Sequence, residues 1–191
     1  MQLIFATNNL HKLEEISAIV PDNFIVKSLK EIEFKGDIPE PFHTLKENAL
    51  GKAQYIFERY NFPCFADDTG LEIDALDGRP GVFSARYAGE NCTPAENVIK
   101  VLKELDGISN RTACFKTVIA FTDGKNNYTF EGQIQGKIAE EPIGNKGFGY
   151  DPVFIPEGYK KTFAQLDSEI KNSISHRALA TKKFIYFLKS Y

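Results

Sequence analysis

Two adjacent carboxylates, Asp67 and Asp68, stand between the short apolar run Pro63 to Ala66 and the glycine of Thr69-Gly70-Leu71-Glu72. A buried strand that ends in two acids is heavily constrained, because an ion taken out of water must find a cation or hydrogen-bond donors. A hard metal ion is one such partner. Mg²⁺ is typically held by only one or two protein carboxylates, which leaves room for substrate phosphates and water. The competing reading is an Asx-type turn, with Asp67 or Asp68 bonded to local amides beside Gly70. Both readings have the chain turn at this glycine and resume as a strand over Leu71 to Ala75.

The 191 residues suffice for a substantial core in a single domain over 1–191. Apolar residues make up 42%, with 16 Phe and 8 Tyr, which fits an ordered globular protein. A net charge of −3 and a pI near 5.7 argue against a nucleic-acid partner and against a basic membrane-binding face. No window approaches the roughly 18 apolar residues of a spanning helix. The opening MQLIFATNNLHK has no basic leader and reads as a first strand rather than a signal peptide. Cys64, Cys92 and Cys114 are odd in number and lack a C-x-x-C pair, so neither a disulfide framework nor a zinc site is expected. A reducing cytoplasmic setting follows from that usage.

Hydrophobic periodicity predicts a strand over Gln2 to Ala6 and a helix over Leu10 to Val20, capped from Thr7-Asn8-Asn9. Ser28 to His43, with Gly36, Pro39 and Pro41, reads as a long loop. Thr44-Leu45-Lys46-Glu47 has the form of a capping box and opens a second helix. Asp77 to Gly81 is a loop by composition. Thr93-Pro94-Ala95-Glu96 opens a third helix, with a capping box and proline at the first helical position. Ala113 to Phe121 reads as a strand that turns at Asp123-Gly124 and returns over Asn127 to Gln135 as a hairpin. A last helix is expected over His176 to Leu188. Helices among mixed strands make the chain α/β, and the hairpin makes an all-parallel sheet unexpected.

Three further segments carry chemistry. Thr7-Asn8-Asn9-Leu10-His11-Lys12 joins a strand to a helix, where free N–H groups and the helix dipole favour phosphate. Lys12 can add a point charge there, and simple capping with a solvated lysine is the alternative. Gly147-Phe148-Gly149-Tyr150-Asp151 combines backbone freedom, a stacking face at Phe148 and an acid able to accept base N–H groups. It can equally be a turn into an aromatic core strand. Lys171, His176 and Arg177 place cations at the start of the last helix, where acids are normally preferred. That mismatch calls for an anion or acid to balance them.

These segments together resemble the inosine triphosphate pyrophosphatase family. The resemblance rests on T-x-N-x-x-K at Thr7 to Lys12, E-N-A-x-x-K-A at Glu47 to Ala53 and A-D-D-T-G-L at Ala66 to Leu71. It continues with P-G-x-x-S-A-R-Y at Pro80 to Tyr87, G-F-G-Y-D-P-x-F at Gly147 to Phe154 and S-H-R at Ser175 to Arg177. Thr69 departs from the serine usual in bacterial relatives, but it keeps the hydroxyl. The resemblance implies an α/β fold, an elongated mixed β-sheet with flanking helices forming two lobes around a central cleft. It implies a homodimer that hydrolyses ITP, dITP and XTP with Mg²⁺, giving the monophosphate and pyrophosphate. Asp68 and Glu40 would hold the metal, with Asp68 also the proton acceptor and Asp67 supporting it. The Thr7–Lys12 segment, Thr69 and Lys171 would fix phosphates. Phe148, with Gly149 and Tyr150, would receive the base, while Asp151, His176 and Arg177 read its edge. A non-catalytic purine-nucleotide sensor is the alternative from another class; retention of Asp67, Asp68 and Glu40 speaks against it.

Overall fold

The structure, a computed structural model, describes residues 2–21 and 23–191. Its strands are β1 (Gln2–Phe5), β2 (Ile25–Ser28), β3 (Cys64–Ile73), β4 (Pro80–Gly81), β5 (Thr112–Thr122), β6 (Asn127–Ile138) and β7 (Phe154–Pro156). Its helices are α1 (Leu10–Ser17), α2 (Leu45–Tyr60), α3 (Pro94–Glu104), α4 (Ser168–Ile174) and α5 (His176–Ser190). The strands form one sheet in the order β2-β1-β3-β5-β6-β7, with β4 paired to β3. β1 runs parallel to β2 and β3, whereas β3–β4 and β6–β7 are antiparallel, so the expected mixed α/β class holds. The chain divides into two compact units, 1–68 with 117–132 and 177–191, and 69–116 with 133–176.

In the first unit, Leu3, Ile4 and Phe5 are all buried, as expected of a strand with parallel neighbours and both faces covered. The register sets Phe5 beside Phe65, and their rings stack at 4.5 Å. α5 lays Ala180, Phe184 and Leu188 against them at helical spacing, with Phe184 5.0 Å from Phe65. Each buried ring contributes about 1.5–3 kcal/mol by leaving water. The Asn9 side chain caps α1 by accepting from the Lys12 amide. α1 stops at Ser17 rather than Val20, because Pro21 has no N–H to donate to the Ser17 carbonyl and its ring would crowd it. Thr44 caps α2, but its hydroxyl donates to the Glu47 carboxylate, so only half of the expected box forms.

The second unit is organised on Phe115, whose ring meets Phe154, Phe163 and Tyr150. Val98 and Val101 of α3 and Leu71 and Ile73 of β3 complete this core. The α3 capping box is present in both halves: Thr93 N–H donates to Glu96, and Glu96 N–H donates to Thr93 Oγ1. β7 packs so closely on β6 that a Cβ on Gly136 would lie 2.4 Å from the Ile155 carbonyl oxygen.

One expectation is overturned at the acidic segment. β3 runs without a break from Cys64 to Ile73, so there is no turn at Gly70 and no separate strand over Leu71 to Ala75. Pairing decided the matter. β4 holds the downstream half through Leu71 opposite Gly81 and Glu72 opposite Pro80, and Leu71 N–H donates to Ser84 Oγ. Part of the predicted loop 77–81 is therefore β4. β2, β7 and α4 were not foreseen, while α5 follows its prediction and extends to Ser190.

Loss of the α3 cap should be measurable without touching the core. Thr93→Ala is expected to lower unfolding free energy by about 1 kcal/mol. Urea denaturation should show a lower midpoint at unchanged slope.

Candidate active site

Because β3 is continuous, Asp67 and Asp68 leave it on opposite faces and meet different cations. Asp67 accepts from Lys12 Nζ at 3.0 Å and from Arg177 Nε at 3.2 Å. Arg177 also donates through Nη1 to Glu15 of α1. Asp68 Oδ1 accepts from Lys52 Nζ of α2 at 3.1 Å, and the same ammonium donates to Glu40. Four carboxylates thus share three cations, all within the first unit. The cluster carries one negative charge in excess.

Burial would push the Asp67 pKa up, but Lys12 and Arg177 outweigh it and hold the carboxyl far below the usual range. Asp68 moves the other way. Burial raises its pKa, with Glu40 adding to the rise, and Lys52 and Lys12 offset this only in part. Burial lowers the Lys12 pKa, and Asp67 restores part of it. The Lys52 and Arg177 charges also lose hydration, yet their carboxylate partners raise both pKa values.

Asp68 Oδ2 is buried and has no hydrogen-bond partner among the described residues. An orphaned carboxylate oxygen in a cluster with surplus negative charge is the donor chemistry that suits a hard cation. Among the described residues no group of three or more His, Cys, Asp or Glu converges as a metal cage. Asp68 and Glu40 meet at the Lys52 ammonium, and a pair of carboxylates is within the one or two usual for Mg²⁺.

The Thr7–Lys12 segment leads from β1 into α1, as expected. Thr7 Oγ1 accepts from Asn9 N–H at 3.2 Å, while Asn8, Asn9, Leu10 and His11 are exposed. His11 Nδ1 lies 3.6 Å from Glu14. Thr69 follows the acids on β3 and is part-exposed.

In the second unit, Asp151 Oδ2 accepts from Phe148 N–H at 2.7 Å and from Lys171 Nζ at 2.6 Å. Lys171 Nζ also lies 5.0 Å from the centre of the part-exposed Phe148 ring, so Phe148, Asp151 and Lys171 form one group. Gly147 makes that group possible, since its backbone has φ +73° and a Cβ there would lie 2.0 Å from Asp151 Oδ2. Gly149, also at positive φ, leads to Tyr150. The Tyr150 ring is buried and its hydroxyl donates to the Ser84 carbonyl, which makes its side chain a core anchor. His176 is buried and stacks on Phe115. The cations around the start of α5 are thus balanced by acids of the protein itself, Asp67 and Glu15 for Arg177 and Asp151 for Lys171.

Sequence reasoning passed over Lys52 and Glu15. Lys52 carried a usable signal, since it shares the buried face of α2 with Asn48, Ala49 and Ile56. A lysine at a core-facing position needs a buried acid. Glu15 had no such signal, being one of several polar residues on a short helix.

The Ham1 family profile matches residues 3–187. A protein of Porphyromonas gingivalis named dITP/XTP pyrophosphatase is 54% identical over 188 residues, covering 98% of this chain and 97% of the relative. One of the same name from Flavobacterium psychrophilum is 50% identical over 190 residues, covering both chains completely. The structure of a HAM1 protein from Coxiella burnetii superposes with a TM-score of 0.92 at 38% identity, covering 100% of both chains. Similarity this high, sustained from end to end in sequence and in backbone, settles descent: the chain belongs to the Ham1 family.

Proposed function

We propose that the protein is a nucleoside triphosphate pyrophosphatase that hydrolyses dITP, ITP and XTP to the monophosphate and pyrophosphate. The observation that carries the hydrolytic reading is Asp68, a buried carboxylate with raised pKa, one oxygen on Lys52 and the other without a partner among the described residues. The substrate class comes from relatives of the same length named for dITP and XTP.

Asp68 is suited to take a proton from the attacking water, because its raised pKa makes it a stronger base than an ordinary carboxylate. Lys12 is placed to meet phosphate oxygens, with the exposed 7–11 segment offering N–H groups at the head of α1. Asp67 directs Lys12 and Arg177 by hydrogen bonds and offsets part of the cost of burying the Lys12 charge. Lys52 holds Glu40 and Asp68 side by side. Mg²⁺, held by Asp68 and Glu40, would supply charge neutralisation on the triphosphate and a better pyrophosphate leaving group.

Phe148 offers the purine a stacking face, and Lys171 fixes Asp151 beside it. Asp151, His176 and Arg177 are assigned to the base edge. A donor directed at the C6 carbonyl of hypoxanthine or xanthine meets the amino group of adenine instead. Sites built on such pairing discriminate by about 10⁴–10⁵. A single domain over 1–191, a homodimer and a cytoplasmic setting belong to the same proposal. Three free cysteines fit that compartment. Among the described residues no helix is long and apolar enough to cross a membrane.

The decisive experiment is hydrolysis of ITP in ¹⁸O-labelled water. The label should enter IMP, with intact pyrophosphate released; IDP and orthophosphate would refute attack at the α-phosphorus. Asp68→Asn should lower kcat by about 10²–10⁴ while ITP binding, followed by calorimetry, survives. A folded variant with near-normal turnover would remove Asp68 from the centre of the mechanism. Chelation with EDTA should abolish turnover and Mg²⁺ restore it. A Mg²⁺ requirement unchanged in Glu40→Gln would take Glu40 off the ligand list.

A further inference from the structure

His176 is the first residue of α5, and its ring is buried in the second unit. The face of the imidazole lies on the Phe115 ring, with centroids 4.5 Å apart and planes within 14°. Phe163 approaches at 6.4 Å and a steeper angle. Phe115 cannot yield, because Phe154 abuts it edge-on at 4.6 Å and Phe163 lies along it at 6.4 Å. Lys171 Nζ, 5.0 Å from the Phe148 ring, is also 5.8 Å from the Phe163 ring. The braced aromatic group thus runs continuously from Phe115 to the residues assigned to the base.

A ring nitrogen that reads a base edge must point in a fixed direction, because hydrogen-bond strength falls steeply with angle. The terminal torsion of histidine is broad and does not fix that direction by itself. A parallel partner does, since tilting the imidazole would break the stack and drive its edge into Phe115. We propose that Phe115 is a positioning residue for base recognition, holding the His176 imidazole in the plane from which it meets the purine. The inference rests on the assignment of His176 to the base in the proposed function.

The test combines His176 ring-proton resonances with steady-state kinetics on the full chain. With three histidines in the sequence, His176 is assigned by comparison with His176→Asn, and exposed His11 and His43 serve as references. In the wild type, His176 should resonate upfield of both, shielded by the Phe115 face. Phe115→Leu, which keeps apolar bulk without a ring, should move it toward the exposed positions. The same variant should raise KM for ITP by about three- to tenfold with kcat within about twofold. Val101→Ala, a cavity in the same core on α3, should lower Tm and leave the resonances and KM in place. If Phe115→Leu does not fold, Phe115→Met takes its place.

An unshifted wild-type His176, or a folded Phe115→Leu with unchanged resonances and KM, would overturn the proposal. So would a rise in KM for ITP in Val101→Ala matching that of Phe115→Leu. Wild-type protein inactive on ITP would defeat the functional reading instead, and the resonances would still decide whether Phe115 fixes the imidazole.

Discussion

Pairing of the two carboxylates on β3 is the constraint on which the first unit depends. Asp67 and Asp68 are both buried on a strand within the sheet, so neither can be left to solvent. Lys12 of α1, Lys52 of α2 and Arg177 of α5 answer them, and Glu15 and Glu40 share the latter two cations. Three helices are thereby tied to one strand through charge. The hydrophobic packing of Ile16, Ala49, Ala53, Ile56 and Phe184 fixes where those helices lie, and the ion pairs fix which way their polar residues point.

Stability alone does not account for such a cluster. Desolvating several ions offsets most of their mutual attraction, and apolar replacements of similar volume are often neutral or better. Breaking one pair is a different matter, since an uncompensated buried ion costs about 3–5 kcal/mol. The arrangement is therefore all or nothing, which suits a site whose charges must be in place before a highly charged substrate arrives. The contrast between neighbours follows from the same physics. Asp67 has two cations and stays ionised, whereas Asp68 shares one ammonium with Glu40 and becomes the more basic of the two.

The second unit solves a different problem. Here Phe115, Tyr150, Phe154 and Phe163 pack together among aliphatic residues of β3 and α3, and the buried polar groups Asp151, Lys171 and His176 lie among them. Asp151, Lys171 and the Phe148 amide satisfy one another, and the His176 imidazole stacks on the Phe115 ring.

Periodicity and capping in the sequence determined α2, α3, α5, the β5–β6 hairpin and the mixed α/β class, because those signals are local. The candidate chemistry at Asp67, Asp68, Lys12 and the 147–151 segment was legible for a related reason: acids, glycines and cations in apolar surroundings need partners. Tertiary structure decided the rest. Thr69-Gly70 has turn composition, yet it lies within the continuous strand β3, between β1 and β5 in the sheet, and the two acids leave that strand on opposite faces. β2 and β7 are too short, at four and three residues, for periodicity to reveal them without their partners. Lys52 and Glu15 gained meaning only when distant segments met, and the Phe115–His176 stack joins residues of β5 and α5 that no local pattern could pair. Sequence fixes what each residue needs, whereas long-range packing decides which partner supplies it.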